Sequence, residues 1–154
     1  MSKFELSNRS KSIIDSIKDE DLKLVFHTAI TVTPIDFGVP YTGGLRNWVM
    51  QNDLYTRGKT PVDGIDRISN HQYGVALDYY AYIGGRTSYN KIHMAIVGSC
   101  ILTVGNMLRA EGKIKRELRW GATFGRKGRT FQGYDFPHIE AVYTYDELQN
   151  MGAL

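Results

Sequence analysis

From Gly74 to Ile83 the chain alternates in character. Val75, Leu77, Tyr79, Ala81 and Ile83 fall on one side; Gly74, Ala76, Asp78, Tyr80 and Tyr82 fall on the other. This spacing predicts a half-buried strand, with successive side chains on opposite faces. The first set packs into a core. On the second face Asp78 has two small neighbours, Gly74 and Ala76, which leave room beside a carboxylate. A sheet that keeps an acidic side chain next to open space is the strongest constraint in this sequence.

The segments around that strand predict an α+β domain with helices against a small antiparallel sheet. Ser10 to about Ile30 has apolar residues at helical spacing: Ile13, Ile14 and Ile17, then Leu22, Leu24, Val25 and Ala29. Asp19-Glu20-Asp21 divides the run and gives the second helix an acidic first turn. Thr33-Pro34 ends it. A short strand is expected over Ile35–Val39, a turn at Gly43-Gly44, a short helix over Asn47–Tyr55 and a loop over Gly58–Ile68. Ser88 to about Arg109 reads as a long buried helix ending near Gly112. Glu117–Ala122 and His138–Thr144 read as strands joined by a Gly-rich loop, and Asp146-Glu147-Leu148 opens a last helical turn.

Length and composition narrow the chemistry. The 154 residues suit one domain, and 42% hydrophobic residues suffice for a core. No run reaches the about 18 uninterrupted apolar residues of a membrane span. The charged start, Met1-Ser2-Lys3-Phe4-Glu5-Leu6, lacks the apolar stretch of an export signal, so folding in a cytoplasm is expected. Cys100 is the single cysteine, which excludes an intrachain disulfide and a thiolate zinc site. A metal site must then draw on four histidines and the carboxylates. The net charge of +3 suits an anionic partner without requiring nucleic acid. Arg109, Lys113, Lys115, Arg116, Arg119, Arg126, Lys127 and Arg129 crowd one stretch, which reads as a solvated face or a surface for a polyanionic wall. No nucleic-acid motif surrounds them.

His71 lies seven residues before Asp78. That spacing excludes one helix face but works if His71 sits in a loop entering the strand. Downstream, His138 shares a strand face with Glu140, and Ile139 turns to the core. Pro137 bends the chain there, bringing Asp135 toward the same cavity. His71, Asp78 and His138 give three protein ligands and leave zinc a fourth position, the pattern of a catalytic site. Taken singly the pieces are unspecific: His138 also reads as a core histidine and Asp135 as a turn residue. Glu140 reads as a group orienting a ligand or as a solvent-facing strand residue. His27 and His93 have no second ligand at metal spacing and read as structural.

The ordered set Gly44-Leu45-Arg46, Gln51 with Leu54, Ser69-x-His71-x-x-Gly74-x-Ala76-x-Asp78, Trp120-Gly121 and Asp135-x-Pro137-His138 resembles the D-alanyl-D-alanine carboxypeptidase/vancomycin-resistance dipeptidase superfamily of zinc peptidases. Within it the chain looks most like the phage endolysins that are L-alanyl-D-glutamate peptidases. The likeness runs from about Ser10 to Glu140. Many superfamily members carry Glu where this chain has Asp135; the endolysin-like members often have Asp.

The resemblance implies a hedgehog/D,D-peptidase-like fold with Zn2+ on the sheet, held by His71, Asp78 and His138. It implies Asp135 as the catalytic base and Arg46, Ser69, Gln51 and Trp120 as substrate-binding residues, although a strand tryptophan is also an ordinary core residue. The expected partner is peptidoglycan, with no nucleic acid and no membrane insertion, for a monomer whose residues 1–154 form a single catalytic domain without a separate wall-binding domain. The expected location is the host cytoplasm until a holin gives access to the wall in the periplasm. A D-Ala-D-Ala carboxypeptidase or dipeptidase, and a non-catalytic zinc-containing wall-binding module, are the competing readings.

Overall fold

A computed structural model gives the fold and describes residues 3–124 and 135–154. The N-terminal helical run is split where the acidic triplet predicts. Helix α1 spans Asn8–Ser16 and α2 spans Glu20–Val32. Asp19 caps α2 by accepting a 2.6 Å hydrogen bond from the Leu22 N–H, and Glu20 and Asp21 sit in its positive first turn. A cap of this kind contributes about 1 kcal/mol. Thr33 is extended, as a residue before proline must be, and the helix stops.

Strand β1 covers Asp36–Gly38, and α3 covers Trp48–Thr56 behind the cap residue Asn47. The single strand expected from Gly74 to Ile83 is two strands in different sheets. β2 (Ala76–Asp78) and β3 (Tyr80–Ile83) are separated at Tyr79. The N–H of Tyr79 bonds to the Pro137 carbonyl, and its hydroxyl donates to the Met94 carbonyl at 2.7 Å. Because Tyr79 still faces the core, the alternation passes through the break and gives no sign of it. His71 is likewise not in a loop. It lies on a one-turn helix, α4 (Asn70–Tyr73), which ends at Gly74 in the left-handed region at φ 73°.

The remaining elements are β4 (Arg86–Ser88), α5 (Lys91–Ala110), β5 (Leu118–Trp120) followed by a 3-10 turn at Gly121–Thr123, β6 (His138–Ala141) and α6 (Tyr145–Met151). β4 takes up the start of the segment expected to be helical, and α5 begins only after its cap, Asn90. Among the described residues the strands form two antiparallel three-stranded sheets, ordered β1-β3-β4 and β2-β6-β5. Leu77, Ile139 and Trp120 from the second sheet join Leu22, Val25 and Phe26 of α2 and Met94, Val97 and Ile101 of α5 in one buried cluster. By length and composition α5 would suffice to cross a bilayer; here that cluster takes up its Met94–Val97–Ile101 stripe. The basic Gly-rich stretch 125–133, with Arg126, Lys127 and Arg129, lies outside the described residues.

Candidate active site

Strand register sets the first pair. β2 and β6 are antiparallel with Asp78 opposite His138 and Ala76 opposite Glu140, so both acidic–imidazole neighbours project from one face. The third member comes from α4. A capping box holds that turn: the Ser69 hydroxyl accepts from the His71 N–H, and the Gln72 side-chain oxygen accepts from the Ser69 N–H at 2.9 Å. This carries the His71 ring over the sheet.

Three atoms then converge. His71 Nε2 lies 3.1 Å from His138 Nδ1 and 3.2 Å from Asp78 Oδ1, and His138 Nδ1 lies 3.3 Å from the same oxygen. The hydrogen bonds behind the rings fix their tautomers. His71 Nδ1 is 3.0 Å from the Gly44 carbonyl, which can only accept, so Nε2 presents its lone pair inward. His138 Nε2 is 2.7 Å from Glu140 Oε2, so Nδ1 is the inward atom. Two imidazole nitrogens this close need a positive charge between them, either a proton or a cation. Burial favours the neutral form of the His138 ring, but hydrogen bonds to Asp78 and Glu140 outweigh it and push the ring up to about 10. Burial, helped by the nearby charges of Arg46 and His138, draws His71 down from its ordinary value against the pull of Asp78.

The donor set fits zinc. Nitrogen and oxygen ligands at about 2.0–2.1 Å in a tetrahedral array are separated by about 3.3–3.4 Å. The observed triangle has edges close to that, and these three residues form a group able to hold a metal ion.

The supporting contacts are built to keep these atoms in place. Glu140, 5% exposed, accepts from His138 Nε2 and Asn70 Nδ2 on one oxygen and from Arg119 Nε and Nη2 on the other. Although burial works against its charge, these partners hold its carboxyl down at about 2. Burial also opposes ionisation of Asp78, but His71, His138 and Arg46 keep it well below the usual carboxylate range. Arg46 donates to Asp78 Oδ2 at 2.7 Å, to Gln51 Oε1 at 3.0 Å and to the Thr42 carbonyl at 2.6 Å.

Asp135 enters differently. Its Oδ2 is 4.0 Å from His138 Nδ1, and its side chain is 46% exposed. Burial raises its carboxyl above the ordinary value, with His138 pulling the other way. Gly121 makes this position possible: a Cβ at 121 would collide with the Asp135 carbonyl.

His71, Asp78, His138, Asp135, Arg46 and Ser69 all line one cleft of about 400 Å³. Gln51 and Trp120 do not. Gln51 is fully buried behind Arg46, and Trp120 is in the core with its indole N–H on the Phe136 carbonyl. Asn70, Arg119 and the cleft residues Lys59, Arg67 and Phe124 were not singled out from sequence as part of the site. Asn70 adjoins the His71 motif and was within reach of that reading. Arg119 could be placed only through its register opposite Glu140. His27 pairs with Asp15 on the surface, and His93 bonds Ser88, both away from the cluster.

The fold and cleft together define the class: a small α+β domain with a cleft whose His-Asp-His group could hold a metal ion. Its structure is similar to the crystal structure of Serratia marcescens L-Ala D-Glu endopeptidase ChiX, with a TM-score of 0.67 at 21% identity, over 91% of this chain and 92% of that one. No curated protein sequence matches the chain significantly. The chain belongs to the phage L-alanyl-D-glutamate peptidase family, whose model matches residues 1–142. It is a phage endolysin that hydrolyses the L-alanyl-D-glutamate bond of peptidoglycan.

Proposed function

We propose that this hydrolysis is zinc-dependent, with the ion held by His71, Asp78 and His138 and with Asp135 as the general base. The observation that carries the reading is the triangle of inward-facing atoms, 3.1–3.3 Å on each edge, at the wall of the cleft. The chemistry zinc supplies there is Lewis acidity, which activates a water and polarises a carbonyl.

The chain's own residues do the rest. Asp135, with a raised pKa and an exposed edge, takes the proton from the attacking water and returns one to the departing D-glutamate nitrogen. Glu140 orients His138 and strengthens it as a ligand. Arg46 and Ser69 line the cleft and contact substrate as well as fixing Asp78 and α4. Gln51 and Trp120 act from behind, Gln51 through Arg46 and Trp120 through Phe136, next to Asp135. The protein works as a monomeric, single catalytic domain on peptidoglycan, held in the host cytoplasm until a holin opens the way.

The test combines metal content with product analysis. The purified protein should carry about one zinc per chain, lose wall hydrolysis to a chelator and regain it with zinc. Muropeptide products should end at L-alanine rather than release D-alanine. Asp135→Asn should keep the zinc and lose activity by at least about a hundredfold. A fully active, zinc-free protein or an active Asp135→Asn variant would refute the reading.

A further inference from the structure

The cleft lining carries groups of both charges. The sheet wall carries the anionic groups Asp78, Asp135 and Glu140. The loop 57–69 brings Lys59 and Arg67 to the same cleft. Among the described residues neither side chain has a hydrogen bond or ion pair. Of the loop's own acids, Asp63 is held below its ordinary carboxylate value by backbone N–H groups first and also by the charge of Arg67, without an ion-pair contact between the two. Asp63 accepts from the N–H groups of Ile65 and Arg67, and Asp66 lines a separate hollow beside α6.

This loop is built rather than loose. Gln51 Nε2 donates to the Val62 carbonyl at 2.9 Å, Asn52 Nδ2 to the Asp63 carbonyl at 3.2 Å and Gln72 Nε2 to the Gly64 carbonyl at 3.0 Å. Gln51 and Gln72 are 0% and 1% exposed, so the loop is pinned from inside the fold. The loop backbone is thereby fixed, and among the described residues Lys59 and Arg67 reach the cleft without an ion-pair contact.

The substrate supplies the matching charge. D-Glutamate carries two carboxyl groups, and onward chain growth uses at most one of them. The residue that supplies the scissile nitrogen therefore carries either a free carboxylate or, after amidation, a neutral carboxamide. We propose that Lys59 and Arg67 form the subsite for that free carboxylate and make the enzyme selective for stem peptides whose D-glutamyl carboxyl is not amidated. Guanidinium and ammonium groups grip a carboxylate by charge-assisted hydrogen bonds that a carboxamide cannot replace.

The test uses two synthetic peptides that contain the L-alanyl-D-glutamyl bond and differ only in that carboxylate or carboxamide. The reading is the ratio of kcat/KM values. The wild type should favour the carboxylate by roughly tenfold or more. Arg67→Gln should reduce the ratio, Lys59→Ala with Arg67→Ala should bring it near one, and Arg67→Glu should reverse it. Both residues are exposed, and an unchanged Tm would show that each variant is folded. A wild type indifferent to amidation, or a double variant with the wild-type ratio, overturns the subsite. The inference rests on this cleft being the active centre, so Asp135→Asn is assayed alongside. Full activity in that variant overturns the centre, whereas lost activity there with unaltered ratios in the loop variants overturns the subsite alone.

Discussion

His138 and Glu140 stand two residues apart on β6, and the imidazole Nε2–H donates to the carboxylate at 2.7 Å. This bond determines which nitrogen faces the cleft. Glu140→Gln removes the charge that orients and strengthens His138. Zinc affinity is expected to fall about 10- to 100-fold, read by competition with a chromophoric chelator. Unchanged affinity would show that the other contacts of His138 suffice.

Arg46 joins three parts of the chain through one guanidinium, 7% exposed, that contacts Asp78, Gln51 and Thr42. An ammonium cannot reproduce that planar fork. Arg46→Ala leaves Asp78 largely buried beside an absent partner and should cost about 3 kcal/mol of stability. Urea unfolding with a chelator present reads this directly. Arg46→Lys should recover only part of the loss.

Gly121 allows the backbone of Asp135 to pass where a Cβ would sit. Gly121→Ala should displace the Asp135 carboxylate while leaving the three ligand atoms on β2, β6 and α4. The expected result is normal zinc content with activity reduced on the order of a hundredfold, since misplacement of about 1 Å is enough for that. Wild-type turnover in this variant would contradict the packing.

Glu147 provides a pH prediction away from the site. Arg116 donates two 3.0 Å hydrogen bonds to it and the Thr144 N–H a third, which together hold its carboxyl at about 2 against an ordinary 4.5. The folded value is depressed, so the stabilisation is present above pH 4.5 and is lost as the pH falls toward 2. Amide exchange in α6 should accelerate across that window. In Glu147→Gln it should be faster at neutral pH and show no step there.

Much of the site was legible because its chemistry is tied to local spacing. Asp78 beside Ala76, His138 one residue from a core-facing Ile139 and the bend at Pro137 follow from strand alternation and proline geometry. The break at Tyr79 was not legible, because a core-facing residue keeps the alternation regular whichever sheet its neighbours join. The α4 turn was missed because a capping box holds it and it is too short to show periodicity. That Lys59 and Arg67 line the cleft could not be seen in a segment that reads as a polar loop, since buried glutamines from two other helices set its path.

The sequence by itself determined which residues can hold a cation or move a proton, and that Asp78 and His138 must each share a strand with core residues. The tertiary structure decided what those residues face: the antiparallel register that sets Asp78 across from His138, the loop carbonyl that orients His71, and the glycine that admits Asp135. The physical reason is range. Alternation and capping act over a few neighbouring residues, whereas a site assembled from residues 44 to 140 depends on hydrogen bonds between segments that meet only when the core closes.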